Sequence, residues 1–268
     1  MSLLSFLAAD MSNEEPQIIW SYQPKGVLTI LATGSTSFVG ELGNGQVLKY
    51  PHIATDRETI EHEARIYSIL GSHPRILRCY GLDEAGLRLG KAANGTLREF
   101  LETEHRLEDK LKWARQLAEA VEYIHSKHVF HCDISPRNCF ITKTYDLELG
   151  DFQGTYQAPD GTIYDGYSWE GAKACMPRDS GTVNYHSDLF AVGSAIYEIM
   201  TGHEPYENLD SIDDMEKIEA LFSSGTFPST DGVPLHNVIQ KCWRQGYDSA
   251  GQCVRDLAAT EVEYATPK

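Results

Sequence analysis

Asp133 and Asn138 stand five positions apart in HVFHCDISPRNCFI (residues 128–141), a polar, Pro-containing loop between two apolar stretches. Both side chains present oxygens that bind a hard cation or position a hydroxyl, and neither helps to build a core. The pairing is either an ordinary solvated turn or one half of a phosphoryl-transfer site. The second reading demands a further metal-binding Asp, a phosphate-binding Lys and a group that orients the Lys. Candidates follow in order. Lys49 ends a strand in QVLKY, Glu63 lies about two turns into the next helix, and Asp151 ends a strand in LELGDFQGT. Taken singly, each has a plainer role. Lys49 or Glu63 is a surface charge, Asp133 a turn or cap residue, and His131 a hydrogen-bonded structural histidine. Cys132 and Cys139 are packing residues.

The elements that must position these residues are legible in the pattern. GVLTILATG is β-rich, and Asn44-Gly45 in VGELGNGQVLKY is a strong hairpin signal. Residues 56–70 (DRETIEHEARIYSIL) carry apolar residues at three- and four-residue steps, which predicts a helix capped by Thr55 or Asp56. Residues 75–92 predict a strand pair around a turn at Asp83–Gly86. Beyond them, Leu107, Leu111, Ala114, Leu117, Ala118, Val121 and Ile124 form one helical stripe. Two short strands follow at 139–142 and 147–152. SDLFAVGSAIYEIMTG (187–202) is apolar almost all round, a buried central helix that Ser187 or Asp188 starts and Gly202 stops. Helices near 211–222, 235–244 and 249–263 complete the chain. GKAANG (90–95) reads as a hinge between a small sheet with one helix and a larger helical part. The fold class expected is α+β.

Composition narrows the functions. The chain has 268 residues and 41% apolar content, enough for one large domain or two lobes. A formal net charge of −16 argues against nucleic acid and anionic membrane as partners. Six cysteines are scattered without metal-ligand spacing and read as free thiols of a reducing, cytoplasmic or nucleocytoplasmic setting. The apolar run Leu3–Ala9 is too short to span a bilayer and lacks a basic flank, so a tail or small flap is expected there rather than a signal peptide.

The order Lys on a strand, Glu on a helix, Asp-x4-Asn loop and strand-Asp-Phe resembles the eukaryotic protein kinase family over nearly all of residues 25–258. HCDISPRN is similar to the His-Arg-Asp-x4-Asn catalytic loop, QVLK to Val-Ala-x-Lys and DFQ to Asp-Phe-Gly. LRLGKAANGTLREFL resembles the hinge and its following helix, SDLFAVGSAIYEIMTGHEPY the central helix, and KCWRQ a late helix. The joint order is far more specific than any single piece. The resemblance implies a bilobal fold: an N-terminal extension (1–24), a β-rich N-lobe with one helix (25–90), a helical C-lobe (91–263) and a tail (264–268). It implies ATP and Mg2+ (with Mn2+ an alternative) as cofactors and a protein as substrate. Lys49 would hold the α- and β-phosphates and Glu63 would hold Lys49. Asn138 and Asp151 would ligate magnesium, and Asp133 would accept the substrate hydroxyl's proton. Leu89 falls at the gatekeeper position, Val39, Val47 and Phe140 would sandwich the adenine, and Gly90, Lys91 and Ala92 would offer backbone hydrogen bonds. Tyr67, Cys79, His131, Phe152 and Asp188 match the column that links the lobes in active members.

Several positions depart from the family pattern. In ATGSTSFV, Ala32, Gly34 and Ser37 fall at the three loop-glycine positions, so only one glycine remains. Gln153 replaces the glycine of Asp-Phe-Gly, with Gly154 next. Cys132 replaces the arginine that pairs with an activation-segment phosphate, which implies independence of such a phosphate. Tyr156, Thr162, Tyr164, Tyr167 and Ser168 are candidate phosphosites. Arg137 could take the part of the missing phosphate-contacting lysine, whose slot is Ser135. Arg178 replaces the glutamate of Ala-Pro-Glu while its usual arginine partner would fall near Ala250. Both halves of that ion pair are therefore expected to be absent, with Asp179 hinting at a rewired contact. The slot of the threonine that seats serine/threonine substrates lies near Gly171. An active, divergent protein kinase keeps all five polar groups for a reason. A pseudokinase acting as a nucleotide-binding or protein-interaction module is the alternative, and a small-molecule phosphotransferase shares the same polar logic.

Overall fold

The structure is a computed structural model that describes residues 23–178 and 183–264, with the backbone alone of 5–7, 18–20 and 265. Most of the expected extension 1–24, Asp179 and residues 266–268 lie outside the described residues. The chain divides into two compact units, residues 1–64 with 79–91 and residues 65–78 with 92–268.

The first unit is a sheet with the start of one helix. Strands β1 (Ser5–Leu7) and β2 (Ile18–Trp20) pair antiparallel. A five-stranded antiparallel sheet is formed by β3 (Thr29–Thr33), β4 (Ser37–Glu41), β5 (Gln46–Pro51), β6 (Cys79–Leu82) and β7 (Leu87–Gly90). Its order is β3-β4-β5-β7-β6. Gly43 and Gly45, at φ of 74° and 76°, make the β4–β5 turn around Asn44, the conformation that glycine adopts without steric cost. Val39 stands opposite Lys49, and Val47 opposite Leu89. Val27, Leu48 and Tyr50 form a small core with Phe38, Leu42 and Ala85 packed against it. Helix α1 (Arg57–Leu70) begins in this unit, directly after a 3-10 turn at Ala54–Asp56.

The second unit takes the last turn and a half of α1 and is mainly helical. It holds α2 (Leu97–Phe100), α3 (Leu107–Ser126), α4 (Tyr185–Thr201), α5 (Met215–Ser223), α6 (His236–Trp243) and α7 (Ala250–Ala265). Its strands are β8 (Val129–Phe130), β9 (Cys139–Ile141), β10 (Leu147–Leu149), β11 (Thr155–Gln157) and β12 (Ile163–Tyr164). β9 pairs with β10, and β11 lies between β8 and β12. Helix α4 is buried from Ser187 to Met200, as its all-round apolar sequence requires. Gly193 lets α6 approach closely, since a Cβ there would meet Cys242 Cβ at 2.6 Å.

Two helix starts differ from the sequence reading. Asn184, not Ser187 or Asp188, caps α4: its side chain accepts from the amides of His186 and Ser187, and its own amide donates to Ser187 Oγ. Asp188 is freed for another task. Residues 211–214 do not join α5, because the Asp210 carboxylate accepts from the amides of Ile212 and Asp213 and so offers the backbone a turn instead. Among the described residues, no helix is long and apolar enough to cross a membrane.

Candidate functional site

Lys49 lies on the central strand β5, where pairing to β4 and β7 on both sides fixes its direction. Its ammonium is 2.6 Å from Glu63 Oε2 on α1, with side-chain exposures of 7% and 0%. A charged pair this dry adds little net stability, since each charge forfeits its hydration. In the same unit, the β3–β4 turn is closed by Gly34 N–H donating to Ser37 O. Thr36 accepts through its carbonyl from His52 N–H, and its hydroxyl accepts from Thr59 at 3.4 Å. Ala32 pairs with Val39, and Ser37 is buried. Val47 and Leu89 are buried and face one another across the ladder. Lys91 donates its amide to Gly45 O and its ammonium to Glu41.

The second set is assembled within the other unit by Asp188 and His131. Asp188 is fully buried and accepts from His131 N–H (2.9 Å), Cys132 N–H (3.0 Å) and His125 Nε2 (2.8 Å). Burial opposes its charge, yet the bonds and charge of His125 and the His131 amide hold its carboxyl below the usual carboxylate range. These bonds fix Cys132 at φ 62°, a left-handed conformation that a non-glycine residue keeps only when its surroundings dictate it. The turn aims Asp133. Its amide donates to His131 Nδ1 (3.3 Å), so His131 Nε2 carries the proton given to Gly150 O (2.9 Å). Phe152 packs between His131 and Tyr67, with ring centroids 5.1 Å from each.

Asn138 donates its amide N–H to Asp133 Oδ2 (2.9 Å) and to the Asp133 carbonyl (2.7 Å). Arg137 lies 4.0 Å from Asp133 Oδ1. Burial pushes the Asp133 carboxyl up from its ordinary value. The bond from Asn138 and the charge of Arg137 oppose that, and the negative charge of Asp151 adds to it. Gly150 N–H donates to the Asn138 carbonyl, which ties the loop to the β10 end where Asp151 adopts φ 63°. Asn138 spends its nitrogen on Asp133, which leaves its Oδ1 as an acceptor. That oxygen and the Asp151 carboxylate are hard donors of the kind that could hold magnesium. Phe140 sits on β9 opposite Glu148, in contact range of Gly150.

Three features were not legible in the sequence. Arg178 is not left without a partner: it forms a two-pronged pair with Glu170 at 2.7 and 3.1 Å. The family's own pair is absent on both sides, as expected, with Ala250 buried and uncharged. The rewired contact goes to a residue eight positions upstream. Secondly, Arg98 bonds both oxygens of Glu198 and also Glu204, which in turn meets the buried Lys173 at 3.4 Å. Thirdly, Gly154 and Gly166 permit close backbone approach. A Cβ on Gly154 would overlap the Phe130 and His131 carbonyls, and one on Gly166 the carbonyls of Gln153 and Gly154. Long-range Arg–Glu pairs leave no periodic trace in sequence.

A family model described as protein tyrosine and serine/threonine kinase matches residues 46–250. Aurora/IPL1-related protein kinase 2 of Caenorhabditis briggsae is 31% identical over 170 residues, 60% of this chain and 55% of that protein. A probable serine/threonine-protein kinase of Dictyostelium discoideum is 26% identical over 192 residues, 65% of this chain and 14% of that protein. Serine/threonine-protein kinase A-Raf of Mus musculus is 29% identical over 111 residues, 37% of this chain and 18% of that protein. The chain thus spans about half the length of the first relative and less than a fifth of the other two.

Proposed function

The chain belongs to the protein tyrosine and serine/threonine kinase family, and from that premise we propose that it transfers the γ-phosphate of ATP to a protein hydroxyl, serine or threonine ahead of tyrosine. The observation that carries this reading is the retention of all five polar groups, with Lys49 and Glu63 buried against one another at 2.6 Å. A chain relieved of phosphoryl transfer gains nothing from that pair, because two dry charges are rarely better than two apolar side chains.

In this reading Lys49, oriented by Glu63, neutralises the α- and β-phosphates. The family resemblance assigns the adenine to Val39, Val47 and Leu89 with the backbone of Gly90 and Lys91 in the first unit, and to Phe140 and the backbone of Ala92 in the second; it assigns the phosphates to Ala32 on β3 and Gly34 in the turn after it. Asn138 Oδ1 and Asp151 would hold magnesium, which would supply neutralisation of phosphate charge. Asp133, aimed by the His131–Asp188 bonds and by Asn138, accepts the proton of the substrate hydroxyl. Arg137 steadies the charge beside it. The group is worth protonating late in transfer because its raised pKa brings it nearer the working pH. The partners are ATP and a protein substrate, with no nucleic acid.

A second reading, a pseudokinase that holds nucleotide or a protein partner without transfer, draws support from the β3–β4 turn. That turn keeps one glycine of three and is bonded down at Thr36. One experiment separates the two: transfer from labelled ATP with magnesium or manganese, beside Asp133→Asn and Lys49→Met. Transfer in the wild type and in neither variant supports the kinase. No transfer, with a nucleotide-dependent thermal shift that Asp133→Asn leaves unchanged, supports the pseudokinase.

A further inference from the structure

Residues 170–178 form a short loop that the chain closes on itself. Glu170 and Arg178, at its two ends, are joined by both prongs of the guanidinium, and the side chains are 4% and 18% exposed. Arg178 also donates to Met176 O, and Cys175 Sγ donates to Glu170 Oε2 at 3.4 Å, so both ends converge on one carboxylate. Between them lies the 3-10 turn Ala172–Ala174, whose Lys173 is buried and reaches Glu204. Glu204 is bonded to Arg98, which holds Glu198 on the buried helix α4. The loop therefore has two independent charged anchors, one internal and one to the core.

What the loop carries explains why it is held so firmly. A Cβ built on Gly171 would lie 3.9 Å from Arg137 Nη2, and that same nitrogen is 4.0 Å from Asp133 Oδ1. Gly171 is thus one guanidinium away from the catalytic carboxylate. Trp169, immediately before Glu170, is 88% exposed.

We propose that the Glu170–Arg178 pair is a clasp that positions the protein substrate: it holds Gly171 at a fixed place beside Arg137 and Asp133. Both are positioning residues, acting through the loop and touching no reacting atom. The inference rests on the kinase reading for its consequence, though the clasp itself does not. The clasp is local, closing nine residues, and needs no phosphate to set it.

The test uses the whole chain with Glu170→Gln, Arg178→Met and the exchanged pair Glu170→Arg/Arg178→Glu. Amide hydrogen exchange at Ala172–Ala174 is followed beside steady-state transfer to a generic protein substrate. Each single variant should lose protection at these amides while α3 and α4 keep theirs, and the exchanged pair should regain it. KM for the protein substrate should rise roughly tenfold or more in the singles, with KM for ATP unchanged, because misplacing a loop beside the reacting group acts on one substrate only. Unchanged protection in the singles, or no recovery in the exchanged pair, overturns the clasp. Protection lost and regained with equal changes in both KM values overturns its positioning role. A wild type that shows no transfer removes the kinase reading but leaves the exchange result to decide the clasp.

Discussion

Lys49 Nζ lies 2.6 Å from Glu63 Oε2, with the carboxylate sealed from solvent. Removing one partner leaves the other charge buried alone, whereas removing both leaves no unpaired charge. Lys49→Met and Glu63→Leu should therefore each destabilise by about 3–5 kcal/mol, and the double variant by clearly less than their sum. All three should abolish transfer. Urea unfolding of the four proteins measures the coupling. Additive losses would mean that the pair is not the dry contact described.

Asp133 makes the pH dependence directional. Its carboxyl titrates above the ordinary 3.8, first because of burial. As a base it must be ionised, so kcat/KM should fall as pH drops through that raised value. Asn138→Ala removes the bond that favours the carboxylate, so the acid limb should move to higher pH. Stability runs the other way. The folded state keeps this proton to higher pH than the unfolded chain does, so its contribution declines as pH rises between the two values. Asp133→Asn should accordingly lose transfer while its Tm at neutral pH stays level or rises. A marked drop in Tm would assign Asp133 a structural task instead.

Asp188 should behave in the opposite manner. It satisfies two backbone amides, at His131 and Cys132, together with His125. Asp188→Ala orphans buried donors and releases the left-handed Cys132 turn, with an expected cost of about 3 kcal/mol or more. The carboxyl is held below the usual carboxylate range, so its contribution is present above the unfolded value of 3.8 and lost as pH falls through the lower folded value. Denaturant midpoints measured from neutral pH down to acid would reveal this, and a midpoint difference between wild type and variant that does not shrink in acid would contradict it.

The parts of the protein set by short-range chemistry were readable in advance. The Asn44-Gly45 turn, the α1 and α3 stripes and the all-apolar α4 follow from spacing and turn residues alone. So did the Lys49, Glu63, Asp133, Asn138 and Asp151 candidates, because their types serve no core. Two kinds of feature were hidden. Asn184 was passed over because Ser187 and Asp188 are equally good caps by type, and only the backbone decides which one stands at the first turn. The Glu170–Arg178 pair and the Arg98–Glu198–Glu204–Lys173 chain were hidden because ion-pair partners are chosen by tertiary proximity. Gln153 stands where the family pattern has the glycine of Asp-Phe-Gly. In the fold its carbonyl is a busy acceptor, taking the amides of both Tyr167 and Ser168.

That last contact yields the final prediction. The segment after Phe152 runs out as β11, turns, and returns as β12 to place Gly166 against the Gln153 and Gly154 carbonyls. A Cβ at 166 would overlap backbone oxygens, which cannot swing aside as a side chain can. Gly166→Ala should therefore push the returning strand off, breaking the Tyr167 and Ser168 bonds to Gln153 at a local cost of about 1–3 kcal/mol. Gly161 is the contrast. It has φ 87° and no atom within 4 Å of a built Cβ, so Gly161→Ala meets only the conformational penalty, about 1 kcal/mol, and leaves those bonds in place. Amide exchange at Tyr167 and Ser168 distinguishes them: fast in Gly166→Ala, near wild type in Gly161→Ala. Equal protection in both variants would mean that the hairpin is held by its strand pairing and the Tyr156–Tyr164 ring stack rather than by the approach at Gly166.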